Sequence, residues 1–229
     1  LLKLGRVKVA LTPNPFKDNL GFKQELNLKD GYITISQNDT KVKLWVAVFN
    51  PVIHVELHSK SPLNMQVNYE SWRYKNRSVK GKANNANSYK WAPQGEIITY
   101  QDSINVVDNT LKFYHKNREQ TVFDVAVKQQ KMELVKEQMM NPLKHLTFGG
   151  IISGKNLKPD GTYNGVYRDT DFKGFTLSSK KATKKQSFSI TLHTQQVNDF
   201  GIWDAGLTQE VSTYKKNHKK TILWWNKFW

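Results

Sequence analysis

The stretch FKQELNLKDGYITISQNDTKVKLWVAV, residues 22–48, alternates apolar and polar side chains between turn signals. Asp30-Gly31 is a dipeptide typical of tight hairpin turns, and Asn38-Asp39 marks a second turn. The apolar positions keep one parity within each run: Phe22, Leu26 and Leu28; Ile33 and Ile35; Val42, Leu44, Val46 and Val48. Period-two runs joined by short turns predict consecutive antiparallel strands.

The same alternation continues outward along the chain, with turn signals about every ten residues. Further predicted strands lie at Val7–Leu11, Ile53–Leu57, Met65–Tyr69, Ile97–Tyr100, Leu111–His115, Phe123–Val127 and Phe188–Leu192. The polar segment 71–95 predicts a long loop, and 129–140 predicts a helix or an irregular excursion. The pattern as a whole predicts an all-β, antiparallel sandwich or barrel.

The last residues change to helical spacing. Leu207, Val211, Tyr214 and His218 recur at three or four residues, and Trp225 continues the apolar stripe. We therefore predict a β-sandwich domain over residues 1–203 and one linker helix over 204–229. The aromatic residues at the end of that helix lead us to expect a chain taken from a longer protein.

Composition excludes several classes of protein. The chain has 229 residues, 38% of them hydrophobic and 12% aromatic, which is too apolar for a disordered protein. No run reaches the roughly 20 apolar residues of a membrane helix. The absence of cysteine excludes disulfides and thiolate zinc sites. A formal charge of +16 suits polyanionic partners, but the basic residues are spread along the chain, which favours a solvated lysine-rich surface over an anion site.

Known catalytic motifs are missing from the sequence. It contains no Gly-x-Ser-x-Gly elbow, no cysteine nucleophile and no phosphate-binding loop. His54 and His58 lie on a predicted strand, where about 13 Å separates them, too far for a shared metal. Asp169-Thr170-Asp171 is better explained as a turn than as a calcium loop. We predict no catalytic residue, metal or cofactor, although nineteen acidic residues leave a carboxylate pair open.

Aromatic and polar residues mix in three places, which suggests carbohydrate binding. Rings stack on the C–H faces of sugars while amide and guanidinium groups bond to hydroxyls. The candidate binding residues are Trp72, Arg73, Trp91, Tyr114, His115, Asn117 and Arg118. The two tryptophans could instead fill the core, and residues 114–118 could form an internal turn. Basic and aromatic residues together also suit single-stranded nucleic acid, but no nucleic-acid-binding motif is present.

Several strings resemble a bacterial family related to the glycoside hydrolase family 95-like enzymes of the alpha-L-fucosidase type. They are LLKLGRVKVALTPNPF at 1–16, PVIHVE at 51–56, ESWR at 70–73, YHKNR at 114–118, TFGG at 147–150 and WWNKFW at 224–229. The resemblance covers most of the chain and implies a β-supersandwich placed before an (α/α)6 barrel. No position here matches the catalytic part of that family.

The resemblance implies a non-catalytic N-terminal domain that lines the cleft of the downstream barrel, with an oligosaccharide or polysaccharide as ligand. It also implies a periplasmic or extracellular location. A stand-alone carbohydrate- or polyanion-binding module is the alternative, suggested by the charge and the aromatic loop. Nucleic-acid binding rests on charge alone.

Overall fold

The computed structural model describes residues 4–17, 21–78, 98–214 and 216–229. The strands are β1 Arg6–Thr12, β2 Lys23–Asn27, β3 Tyr32–Gln37, β4 Thr40–Val46, β5 Val52–Ser71, β6 Arg77–Ser78, β7 Ile98–Thr99, β8 Ser103–Val107, β9 Thr110–Lys116, β10 Leu146–Ser153, β11 Leu157–Tyr167, β12 Thr170–Ser179 and β13 Thr183–Gln196. The helices are α1 Val122–Gln129, a 3-10 helix Glu133–Gln138, α2 Phe200–Thr213 and α3 His218–Phe228. In the described part of the chain, no helix is long and apolar enough to cross a membrane.

Two antiparallel sheets form the sandwich, which confirms the predicted all-β class. The long sheet has the order β2-β3-β4-β5-β13-β10-β9-β8. The short sheet has the order β1-β5-β12-β11, so β5 belongs to both. The strands β6 and β7 pair separately as a small ribbon.

Strand β5 is one continuous strand of 20 residues where the sequence pattern predicts two. Its first part pairs with β4 and β13, and its last part, from Asn64 onward, pairs with β1 and β12. Pro62 lies where the register with β13 shifts, between the pairs made by His58 and Leu63. A proline, which cannot donate to a ladder, is tolerated at such an irregularity.

The core lies between the sheets and follows the alternation of the strands. Odd-numbered residues of β5 point inward in both sheets; Met65, Val67 and Tyr69 are at most 2% exposed. The Tyr69 ring stacks on Phe113 of β9, with ring centroids 4.2 Å apart. Ring stacking adds to the large apolar area that these side chains remove from water.

The predicted strand at Phe123–Val127 is wrong, because these residues belong to helix α1. Thr121 precedes the helix, and its backbone N–H donates to the Asp124 carboxylate at 2.7 Å. A carboxylate in the first turn stabilises the helix start. This local capping outweighs a period-two pattern in which only Val127 is buried.

The predicted single helix over 204–229 is also wrong, because two helices replace it. Helix α2 begins at Phe200 and ends at Thr213, and Tyr214 has extended backbone angles. The Asn217 side chain then caps α3 by accepting from the N–H of Lys220 at 3.3 Å. Between the helices, the Tyr214 hydroxyl shares a 2.7 Å hydrogen bond with His54. The chain therefore leaves the helix where a side chain bonds to the sheet.

Both helices pack on the outer face of the long sheet. In α2, Trp203 and Leu207 are at most 1% exposed. In α3, the ring of Trp225 lies against Gly31 in the β2–β3 turn, and a Cβ at Gly31 would stand 2.0 Å from the ring. Gly31 also has φ of 63°, which favours glycine. Helix α3 therefore packs on the turn between β2 and β3, which also forms the first hairpin.

We predict that Gly31→Ala destabilises the protein more than Gly161→Ala does. Both glycines have positive φ, so each alanine costs about 1–2 kcal/mol of backbone strain. Only at Gly31 does the new methyl group meet a ring, adding roughly 1–3 kcal/mol of overpacking, whereas nothing lies within 4 Å at Gly161. Urea unfolding gives the two losses. Equal losses would contradict the packing of α3 on this turn.

Candidate functional site

A cleft of about 760 Å³ lies at the end of β9. Its walls come from β9, from the segment before β8 and from the loops around His145 and Phe200. The lining residues are Tyr100, Gln101, Ser103, Tyr114, Lys116, Asn117, Arg118, Glu119, His145, Asn198 and Phe200. Three of the predicted site residues, Tyr114, Asn117 and Arg118, therefore come together here.

Two ring systems line this cleft. The guanidinium of Arg118 lies 3.7 Å above the ring centre of Tyr100, a cation–π contact that holds both side chains in place. Tyr114, on β9, packs on Phe200 at the start of α2, with ring centroids 4.5 Å apart. Arg118 is exposed and Tyr114 is half-buried, so both can meet a ligand. The cleft offers rings for stacking together with hydrogen-bond donors.

Asn117 connects the cleft to the rest of the sheet. Its side-chain amide donates to the carbonyl of Leu143 at 2.8 Å, and its backbone N–H donates to Leu146 at 2.9 Å. Because these two N–H donors already form hydrogen bonds within the protein, they are not available to a sugar. Asn117 therefore positions the cleft wall through these two hydrogen bonds.

His115 lies in the interior, because adjacent residues on a strand face opposite sides and Tyr114 faces α2. Arg73, two residues after the end of β5, is also buried. Asp102 accepts from Arg73 Nε at 2.7 Å and from His115 Nδ1 at 2.9 Å, while Ser71 donates to its second oxygen at 3.2 Å. All four residues are at most 8% exposed. This buried cluster supports the segment between Gln101 and Ser103, whose side chains line the cleft.

Trp72 is not part of the described cleft lining. Trp72 is 7% exposed and packs toward Tyr167, with ring centroids 6.1 Å apart. Its indole Nε1 has no hydrogen-bond partner among the described residues. The interpretation of Trp72 as a core residue is thus confirmed. Trp91 lies outside the described residues.

Charges in the cleft are largely paired. Lys116 donates to the carbonyl of Asn198 at 2.9 Å. Glu119 stands 3.6 Å from His145 and 3.9 Å from Lys144. Glu119 is the single carboxylate of the lining in the part of the chain that the structure describes.

Sequence reasoning missed more than half of this lining. Tyr100, His145, Asn198 and Phe200 come from loops far apart in the chain. His145 has a positive φ of 58°, and Phe200 opens α2 directly after its capping residue Asp199. An N-cap signal at Asp199 could have located the start of α2, but no sequence pattern brings that start beside β9.

A second polar cluster lies on the outer face of the long sheet, where α2 gives way to α3. Trp45 is stacked on His54 with ring centroids 4.0 Å apart, and its indole donates to Glu56 at 3.0 Å. Lys216 pairs with the same Glu56 oxygen at 2.6 Å. The other side of the Trp45 ring faces His218, 4.5 Å away. These contacts hold the segment between α2 and α3 against the sheet.

Burial sets the protonation of the cluster. Burial, together with the nearby Lys216 cation, lowers the pKa of His54 to about 4. Burial also lowers the pKa of His218, with Lys43 adding to the effect. For Glu56, burial alone would raise the pKa, but hydrogen bonds from Lys216 and Trp45 outweigh it and lower the value. Near neutral pH, the histidines are therefore neutral and Glu56 is ionised.

The structure also bears on the metal candidates. Among residues 4–17, 21–78, 98–214 and 216–229, no three His, Asp or Glu side chains come together to hold a metal ion. His54 is bonded to Tyr214, whereas His58 is exposed. Arg168 and Asp169 both have positive φ in the two-residue turn between β11 and β12. Of the predicted turn Asp169-Thr170-Asp171, only Asp169 lies in this turn, because β12 begins at Thr170.

Comparisons with known proteins identify a family. A family model described as a domain of unknown function (DUF5703) matches residues 1–229. No curated protein matches the chain. Among solved structures, one described as "Putative kojibiose phosphorylase from human microbiome" superposes on 90% of this chain, with 13% sequence identity and a TM-score of 0.40. This chain spans 24% of the length of that protein.

We predict that Asp102→Ala destabilises the protein by about 3–5 kcal/mol, because it removes the buried carboxylate that accepts from the Arg73 guanidinium and from His115. Asp204→Ala is the matched control. It removes a carboxylate paired with Lys112 at 2.6 Å, but both side chains there are about one-third exposed, so roughly 0–1 kcal/mol is expected. Urea unfolding measures both. Similar small losses in the two variants would contradict a buried ionic support for the cleft.

We predict that His54 makes stability fall as pH drops from about 6.5 to about 4. Its folded pKa lies below its ordinary value, so the unfolded chain binds more protons in this range and is favoured there. The stability advantage of the wild type over His54→Gln should be largest at pH 7 and shrink toward pH 4. His218 titrates in both proteins and cancels in the comparison. Urea unfolding at several pH values measures the difference.

The matched control is His58→Gln, which changes an exposed histidine on the same strand. It should keep the wild-type dependence of stability on pH. If the stability of His54→Gln depended on pH in the same way as that of the wild type, this result would contradict a neutral, buried His54.

Proposed function

This chain belongs to the DUF5703_N family, and we propose that its fold acts as the non-catalytic N-terminal sandwich domain of a glycoside hydrolase. In this proposal, the domain supports a downstream (α/α)6 barrel of the same polypeptide and lines its cleft. The ligand is an oligosaccharide or polysaccharide, and the protein works in the periplasm or outside the cell. The similarity of several strings to glycoside hydrolase family 95-like proteins supports the proposal.

The observation that carries the proposal is the composition of the cleft at the end of β9. Tyr100 and Tyr114 offer aromatic rings, and Arg118 and Lys116 offer donors, as carbohydrate sites require. Its described lining has the one carboxylate Glu119. A site that stacks and hydrogen-bonds a sugar without a carboxylate pair is suited to positioning substrate for chemistry performed elsewhere.

The surface of α3 supports contact with a second domain. Leu223, Phe228 and Trp229 are 63%, 59% and 64% exposed on a helix of 11 residues. Trp224 stacks on Phe228 with ring centroids 5.3 Å apart, and Trp225 stacks on Trp229 at 6.2 Å. A contiguous apolar surface of this kind marks a protein contact more often than a solvated face. In the proposal, the downstream barrel covers it.

The second candidate function is a stand-alone carbohydrate- or polyanion-binding module. The formal charge of +16 favours it, because a field of that size attracts polyanions without any partner domain. The two candidates differ in what the isolated chain does. A module's whole function is to bind its ligand alone, whereas the cleft of a supporting domain contributes to hydrolysis only together with the barrel.

The experiment compares this chain with the same chain extended through its downstream domain, on aryl glycosides and on plant and host oligosaccharides. We expect hydrolysis only by the extended protein. Hydrolysis by this chain alone would contradict a non-catalytic role. No hydrolysis by either, with saccharide binding by the chain alone, would favour the module.

Within the extended protein, Arg118→Ala should lower kcat/KM about tenfold, equivalent to the loss of roughly 1.4 kcal/mol of contact with the sugar. Arg168→Ala is the matched control, because Arg168 is exposed beside the ring of Tyr167 at 5.8 Å and is not part of the cleft lining. Equal losses of kcat/KM in the two variants would contradict a role of the cleft in binding the substrate.

A further inference from the structure

A second open groove, of about 550 Å³, lies on the outer face of the long sheet. Its floor is made by the even-numbered residues of β5 and their partners on β13. Glu56 lies opposite Ser187, and His58 lies opposite Lys185. The turn between β10 and β11, which contains Lys155 and Asn156, forms one wall. No residue of this groove lines the cleft at the end of β9.

The floor is open because its side chains are short and hydroxylated. Ser187 is exposed, and Ser153 and Ser189 meet across the strands at 3.4 Å. Asn156 donates to the carbonyl of Lys181 at 2.8 Å and to Gln186 at 3.1 Å, which fixes the wall and leaves its own oxygen for a ligand. The groove therefore presents hydroxyl and amide groups on a rigid sheet.

The groove is positively charged, and two of its lysines have no carboxylate partner among the described residues. Lys216 is neutralised by Glu56, at 2.6 Å. Lys155 and Lys185 are exposed, and no carboxylate of the described residues pairs with either. Glu56, the only carboxylate in the described lining, is already held by Lys216 and by the Trp45 indole. Two unpaired ammonium groups thus flank a floor of hydroxyls.

We propose that this groove binds an acidic oligosaccharide, one that carries carboxylate or sulfate groups. Lys155 and Lys185 would bind the anionic groups, and Ser187 and Asn156 would bond to sugar hydroxyls. This site goes beyond the function proposed for the cleft, since it uses other residues and needs no second domain.

Saccharide is favoured over nucleic acid because the described lining of the groove leaves no Trp, Tyr or Phe face free for stacking. Single-stranded nucleic acids rely on rings that stack with bases. Here Trp45 is 2% exposed, between His54 and His218. Tyr214 stacks on His54 at 5.4 Å, and its hydroxyl is already bonded. Phe188 is buried in the core, so the exposed ring of the described lining is the small imidazole of His58.

The test measures binding of heparin and polygalacturonate, with dextran as the neutral probe, to this chain at several salt concentrations. We expect binding of an acidic polysaccharide that weakens as salt rises, and no measurable binding of dextran. The double variant Lys155→Glu/Lys185→Glu should weaken that binding at least tenfold. Circular dichroism and thermal unfolding check that each variant is folded.

The matched control is Lys220→Glu/Lys227→Glu, which changes two exposed lysines on α3 and alters the net charge equally. It should change the affinity by less than about threefold. Equal losses in both double variants would overturn the site in favour of diffuse surface attraction. A single-stranded oligonucleotide bound as tightly, and weakened by the same groove variant, would overturn the choice of saccharide, as would no binding of any acidic polysaccharide.

This test is separate from the hydrolysis assay. It uses the chain alone and reports binding, so its failure leaves the supporting role of the sandwich intact. A failure of the hydrolysis assay would likewise leave the groove unaffected.

Discussion

Strand β5 is the constraint on which the rest of the structure depends, because it carries one alternation through both sheets. Its odd-numbered residues face the core both before and after its hydrogen-bonded partners change: Val55 and Leu57 before, and Met65, Val67 and Tyr69 after. A slip of one residue would turn the core side chains outward in both layers at once. The even-numbered residues consequently face outward, which puts His54 and Glu56 under the linker between α2 and α3 and puts Glu70 on the outer face of the short sheet. The position of each polar cluster thus follows from this single strand.

Buried charges fix the ends of the sandwich where alternation alone cannot. Glu70 is 1% exposed, pairs with Arg6 and accepts from the Tyr163 hydroxyl at 2.5 Å, which joins β1, β5 and β11. Asp102 gathers Arg73 and His115 in the same way beside the cleft. Such clusters add little net stability compared with an apolar core, but an unpaired member is costly. They therefore hold the loops that they join in one arrangement. That arrangement in turn positions the residues that line the cleft.

The success of prediction followed the burial pattern of each element. β3 and β9 have one covered and one partly open face, so their alternation was visible in the sequence. β10, β11 and β12 were not predicted: β10 carries Gly149 and Gly150, which have no side chain to show a face, and β11 is exposed through most of its length. The motif 114–118 was correctly grouped at one place, but strand geometry divides it, with Tyr114 facing α2 and His115 facing the core. The residues that complete the cleft come from distant loops, whose meeting depends on packing that no local pattern records.

The two polar surfaces use the same sheet in different chemical ways. In the cleft, cations are engaged: Arg118 lies on Tyr100, Lys116 bonds to a carbonyl, and Glu119 offsets the remaining charge. Such a surface favours neutral sugar faces, whose binding depends on stacking. On the outer groove, Lys155 and Lys185 remain unpaired above a floor of serines, and this arrangement favours anions. A formal charge of +16 therefore does not describe one uniform basic surface, because only cations that lack internal partners are free to select a ligand.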